Sequence, residues 1–166
     1  PIDETFVREE IAGWLWEDFD IETSIVVSPE GKPLVVVERD RVLDPSEGVV
    51  FAASVKDLVA VARQNYMEQR RAADNGFVGP DKPLSKGSEM FAADIRQVNG
   101  QMGLVMAQAI IPDDEATLPE GAPQVLVTFK PVTGTLLKTM GKTLGLSDFQ
   151  ILHAGDVHSD LASMPA

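Results

Sequence analysis

Asn99-Gly100 constrains this chain more than any other pair of residues. Both residues of a tight hairpin turn must accept positive φ, so Asn-Gly between apolar runs is the strongest short-range signal for adjacent antiparallel strands. The runs are present, Met90–Val98 before the pair and Gln101–Ile111 after it. The second half of the chain therefore reads as β. A third strand is expected over Gln124–Pro131, beyond the polar loop Pro112–Pro123. Thr133 then caps a short helix with Leu136, Leu137, Met140 and Leu144 inside, Lys138 and Lys142 outside, and Gly145 as its stop. Phe149–Leu152 is expected to add one more strand.

The first half alternates helix and hairpin. Val7, Ile11, Trp14, Leu15 and Phe19 recur at helical spacing, which predicts an amphipathic helix over Asp3–Phe19 with Trp14 on the apolar face and Trp16 off it, partly buried under the sheet edge. Glu22–Ser28 and Leu34–Val37 are short runs rich in isoleucine and valine around Pro29-Glu30-Gly31, which predicts a hairpin. Ser54-Val55-Lys56-Asp57 has the form of a capping box. The helix it opens would bury Val55, Leu58, Val59, Ala62 and Tyr66 and run to about Ala73. Residues 74–88 carry three glycines and two prolines and read as a loop. The order is helix, hairpin, helix, loop, then antiparallel strands. It predicts an α+β domain with a single antiparallel sheet of about five to six strands and flanking helices, close to the PAS and Cache plan.

Charge and composition narrow the function. The chain has 166 residues, enough for one domain with a real core. Acids number 26 and bases 14, a net charge of −12. Nucleic acid is excluded as an expected partner, since phosphate binding needs a basic stripe. An anionic membrane surface is disfavoured for the same reason. The imbalance is local: residues 1–50 hold 13 acids and 4 bases, and solvation of that front explains it. With no cysteine, disulfides, thiol nucleophiles and iron–sulfur clusters are absent. No apolar run approaches the roughly 20 residues of a membrane span, and no basic-then-apolar leader opens the chain. Because the chain opens on Pro1, it is expected to be a fragment or a processed product.

No catalytic constellation is legible. The chain has no glycine-rich phosphate loop, no G-x-S-x-G and no H-E-x-x-H. His153 and His158 with Asp156 and Asp160 have the donor types for a divalent metal, but they fall in a stretch expected to fray, and no metal is assigned. Asp113-Asp114-Glu115 lacks the spacing of a calcium loop. No cofactor is expected.

Three stretches resemble a known sensor family. Leu15-Trp16-Glu17-Asp18-Phe19-Asp20-Ile21-Glu22-Thr23-Ser24-Ile25-Val26-Val27-Ser28-Pro29-Glu30-Gly31-Lys32-Pro33-Leu34 resembles the short helix, strand, turn and second strand that open the fourth class of CHASE domains, a Cache-like group. Val98-Asn99-Gly100-Gln101 with Val105–Pro112 is similar to that family's second hairpin. Val125–Val132 with Leu136, Leu137 and Leu144-Gly145-Leu146 is similar to its closing strand and helix. The resemblance implies one sensor domain over 1–152, with 1–20 as the helix leading in and 153–166 as a tail. It implies a periplasmic location between transmembrane helices of a bacterial signalling protein, with a diguanylate cyclase or phosphodiesterase for cyclic di-GMP, or a histidine kinase, as output.

The domain itself is read as non-enzymatic. A small-molecule ligand, a carboxylate among the candidates, is expected between the sheet and the 74–88 loop. Strand parity and position nominate Tyr66, Phe91, Met106, Gln108, Thr128 and Lys130 as its wall, with Lys130 neutralising the anion. The alternative is a module that acts through a homodimer or partner protein, using Trp16 and the acidic front.

Overall fold

The computed structural model describes residues 7–72, 91–111 and 121–147. Six strands form one antiparallel sheet: β1 Thr23–Val27, β2 Pro33–Glu38, β3 Arg41–Leu43, β4 Phe91–Val98, β5 Gln101–Ala109 and β6 Val125–Pro131. Their spatial order is β3-β2-β1-β6-β5-β4. The helices are α1 Trp14–Phe19, preceded by π-helical turns over Val7–Gly13, then α2 Val49–Ser54, α3 Lys56–Ala72 and α4 Gly134–Leu144. The chain thus has the expected α+β plan around a single antiparallel sheet. It forms two compact units: Pro1–Pro131 holds the whole sheet with α1, α2 and α3, and Val132–Ala166 holds α4.

The two turns called from sequence form as their residues require. Asn99 and Gly100 adopt φ of 49° and 83°, and β4 and β5 pair from Val98↔Gln101 to Phe91↔Gln108. In the β1–β2 turn Gly31 takes φ 88°, while Ser28 N donates to Lys32 O and Gly31 N to Ser28 O, each at 2.8 Å. The end helix is capped as read. Thr133 Oγ1 accepts from Leu136 N at 3.2 Å, and Gly145 ends α4 at φ 68°.

One face of the sheet is packed along its length, and the other over β1 and β2, with Phe91, Ile95 and Leu104 exposed on that second face. The first face carries α2 and α3. Val55, Leu58, Val59 and Ala62 meet Ile25, Val27, Val36, Val105, Ala107, Val125, Val127 and Phe129 there as the main core. On the opposite face Val7 and Ala12, with half-buried Ile11, pack on Val26, Val35 and Val37. Burial of this kind stabilises by about 1.5–3 kcal/mol for each large aliphatic side chain.

Three local readings are corrected. Trp14 is half exposed, stacked edge-to-face on Phe19 with ring centroids 4.9 Å apart. Trp16 is half-buried, in keeping with its expected partial burial, with the Arg39 guanidinium 5.3 Å from its ring centroid. The cause of the Trp14 exposure is the π-helical run before α1, whose wider turn shifts the phase that a 3.6-residue period predicts. Ser54 does not cap α3. It is the last residue of α2, its Oγ donates to Phe51 O at 2.8 Å, and Val55 at φ −115° breaks one helix from the next. The capping box lies earlier, where Asp44 Oδ1 accepts from Ser46 N at 2.9 Å and Glu47 Oε1 accepts from Asp44 N at 3.2 Å. The strand β3 was also not anticipated. It follows a tight turn with Arg39 at φ 57°. The loop 74–88, Asp113-Asp114-Glu115, Phe149–Leu152 and the His153/His158 stretch lie outside the described residues.

Candidate functional site

A groove of about 440 Å³ opens on the helix-bearing face, where the β1–β2 turn approaches α2 and α3. Its construction follows from two sequence features. Helical spacing puts Lys56, Val59, Ala60 and Arg63 in one stripe, at i, i+3, i+4 and i+7, about 10 Å from first to last. Opposite them the turn supplies Glu30, Gly31, Lys32 and Pro33. Val27, Val49, Ala52 and Ala53 complete the lining.

Arg63 ties the two sides together. Its Nη2 donates to Ser28 O, and its Nε donates to Pro123 O at 3.3 Å. Burial pulls this guanidinium below its ordinary pKa, and the nearby Glu30 opposes the shift. The Glu30 carboxyl sits below the usual carboxylate range, chiefly through a hydrogen bond from Ser28. Ser28 is itself buried, and its Oγ accepts from Lys32 N at 3.2 Å. A buried serine and a half-buried arginine therefore fix the turn against α3.

A second cavity of about 210 Å³ lies on the same face, towards the other end of the strands. Phe51 and Phe129 form its aromatic floor, centroids 6.3 Å apart and rings at 72°. Glu22, Glu38 and Glu47 stand among its lining residues. Two of these are engaged: Glu22 pairs with Arg39 at 3.6 Å, and Glu47 completes the Asp44 box. Among the described residues, no group of three or more His, Cys, Asp or Glu is placed to hold a metal ion.

The structure does not bring the six nominated residues together. Register puts Phe91↔Gln108, Ala93↔Met106↔Thr128↔Ser24 and Leu104↔Lys130 in cross-strand rows. Phe91, Met106, Gln108, Thr128 and Lys130 therefore share the face away from α3, because side chains alternate along a strand. Tyr66 is on the other side, buried on α3 against Ala109. Position in the chain assigned Tyr66 to the wall, but α3 packs on the odd-numbered face of β5, and the five strand residues have the opposite parity.

Lys130 also has partners already. Its Nζ donates to Phe19 O at 2.6 Å and lies 3.6 Å from Asp20. The cations that do line a groove, Lys32, Lys56 and Arg63, were not singled out from sequence. The i, i+7 spacing of Lys56 and Arg63 was the available signal.

The model of the CHASE4 domain family matches residues 2–152, nearly the whole chain. No curated protein matches it.

Proposed function

The chain belongs to the CHASE4 domain family, and on that premise we propose that it is the ligand-sensing, extracytoplasmic part of a membrane-bound bacterial signalling protein. CHASE4 domains are extracellular sensor domains of signalling proteins and are not catalytic. The observation that carries ligand sensing is the groove between the β1–β2 turn and α2–α3. Its volume of about 440 Å³ falls within the range of small-molecule sites, and its lining is mostly apolar with a few polar groups.

Signalling follows from where the groove lies. Arg63 joins α3 to the β1–β2 turn and to the residues entering β6. A ligand that binds better to one arrangement of these elements shifts the population towards it. A Cache- or PAS-like plan is compatible with α2 and α3 lying over one sheet face. Output through synthesis or breakdown of cyclic di-GMP rests on the resemblance of the three stretches quoted above, with a histidine kinase as the alternative. The rival reading, a homodimer or partner module built on Trp16, has less support, because Trp16 is half-buried beneath Arg39.

The test is a thermal-shift screen of the 166-residue chain against organic acids, amino acids, amines and sugars, repeated on Ala60→Trp, which fills the groove from an exposed helix position. A ligand at 100 times its Kd adds about 2.7 kcal/mol, worth several degrees for a domain of this size. The expected result is a hit lost in Ala60→Trp. Hits that all survive that substitution would remove the groove from the sensing role.

A further inference from the structure

Resting on the sensing role of this groove, we propose that its ligand is an amphipathic anion, a small carboxylate with an apolar tail. The first ground is charge. In a chain of net charge −12, the groove lining holds Lys32, Lys56 and Arg63 against Glu30 alone. A concave site with one sign of charge and low-dielectric walls concentrates ligands of the other sign.

The second ground is availability. Arg39, Arg96 and Lys130 each have an acidic partner on the protein, but the amines of Lys32 and Lys56 have no ion pair or hydrogen bond among the described residues. Arg63 donates two of its five N–H groups to backbone carbonyls, which do not neutralise its charge, and Glu30 is the acidic group that acts on it. Glu30 offsets only part of the charge of Lys32 and Arg63, and an incoming carboxylate adds a second negative charge that accepts hydrogen bonds from a lysine ammonium.

The third ground is the wall. Val27, Pro33, Val49, Ala52 and Val59 offer no hydrogen-bonding side chain, so a sugar or a polyol laid along them would lose hydrogen bonds to water without replacement. An alkyl tail gains from the same contact, about fourfold in affinity for each methylene buried. Charge at the lysines with an apolar floor beyond them selects a molecule built the same way.

The test is isothermal titration of the 166-residue chain with hexanoate, octanoate, octan-1-ol and octylammonium. Octanoate should bind about 15-fold more tightly than hexanoate, and at least tenfold more tightly than the alcohol or the amine. The double variant Lys32→Gln/Lys56→Gln should lose at least tenfold in octanoate affinity with the unliganded melting temperature unchanged. Equal binding of the amine, retained affinity in the double variant, or no binding of either acid would overturn the proposal. A neutral ligand that Ala60→Trp abolishes would leave groove sensing standing while overturning the anion. Octanoate binding that survives Ala60→Trp would overturn the groove itself.

Discussion

Arg96 on the edge strand β4 makes a two-point contact with Asp57 in the first turn of α3: Nη1 donates to Oδ1 at 2.9 Å and Nη2 to Oδ2 at 3.0 Å. The same guanidinium reaches Ser54 O at 3.2 Å and Asp94 Oδ2 at 2.8 Å. It therefore joins the end of α2, the start of α3 and the sheet edge through one planar group, a geometry lysine would not reproduce. The cluster lies on the helix-bearing face, and it fixes the N-terminal end of the helix whose next two turns line the groove.

The pair sets a pH dependence. The hydrogen bond from Arg96 holds the Asp57 carboxyl down to about 2, against an ordinary value of 3.8. A carboxyl depressed by folding adds stability that is fully present above its unfolded value and is lost as pH falls through its folded value. Asp57→Asn should thus be less stable than the parent at pH 6, with the difference fading between pH 4 and 2. Asp57 is two-thirds exposed, so solvent screening limits the difference to about 0.5–1 kcal/mol. Urea denaturation at pH 6 and pH 2 checks this, and an undiminished gap at pH 2 would contradict it.

Gly103 is required for a different reason. A Cβ at this buried β5 position would stand 2.1 Å from Phe129 Cε2 and 2.8 Å from the backbone oxygen of Lys130. The ring of Phe129 occupies the space a side chain would need, and it also floors the smaller cavity. Gly103→Ala should cost about 1–3 kcal/mol through overpacking. Adding Phe129→Leu should recover part of that loss, because contacting sites are not additive. A double-mutant cycle by chemical denaturation measures the coupling.

Thr133 provides a test confined to the second unit. Its hydroxyl accepts from Leu136 N, one of the free N–H groups at the start of α4. Thr133→Ala should cost about 1 kcal/mol of local stability, and Thr133→Ser only a few tenths. Hydrogen exchange at the Leu136 amide reads this directly. Faster exchange in Thr133→Ala but not in Thr133→Ser is the expected pattern.

The parts legible in the sequence are those set by local chemistry. Asn99-Gly100 fixes one hairpin because few residues tolerate its φ values, and Thr133 with Gly145 brackets α4 by the same logic. The α3 face was legible because Leu58, Val59, Ala62 and Tyr66 keep one period. What failed was whatever depends on phase or on distant partners. A π-helical run moved Trp14 outward, which no 3.6-residue pattern reveals. Tyr66 and Lys130 are 64 residues apart in the sequence, and only the register of β5 and β6 shows that they lie on opposite faces of the sheet. The groove cations became visible only when the β1–β2 turn was placed against α3, a tertiary fact.

Lys130 separates the two placements of the ligand. From sequence it is the residue expected to meet an anion, because its charge interrupts an apolar strand. In the fold its ammonium donates to Phe19 O at the C-terminal end of α1, where the helix dipole favours a cation, and it sits near Asp20, whose φ of 55° ends that helix. It holds the leading helix to β6. Lys130→Met keeps the apolar stem and removes the charge, so it should cost about 1 kcal/mol of stability. It should leave octanoate affinity within about twofold, because the groove opens on the other face of the sheet. Lys32→Gln/Lys56→Gln should give the reverse pattern, with stability kept and affinity lost. Denaturation and titration on both variants form a crossed comparison. If Lys130→Met lost tenfold in affinity at unchanged stability, the ligand would belong on the outer face with Phe91, Met106, Gln108 and Thr128.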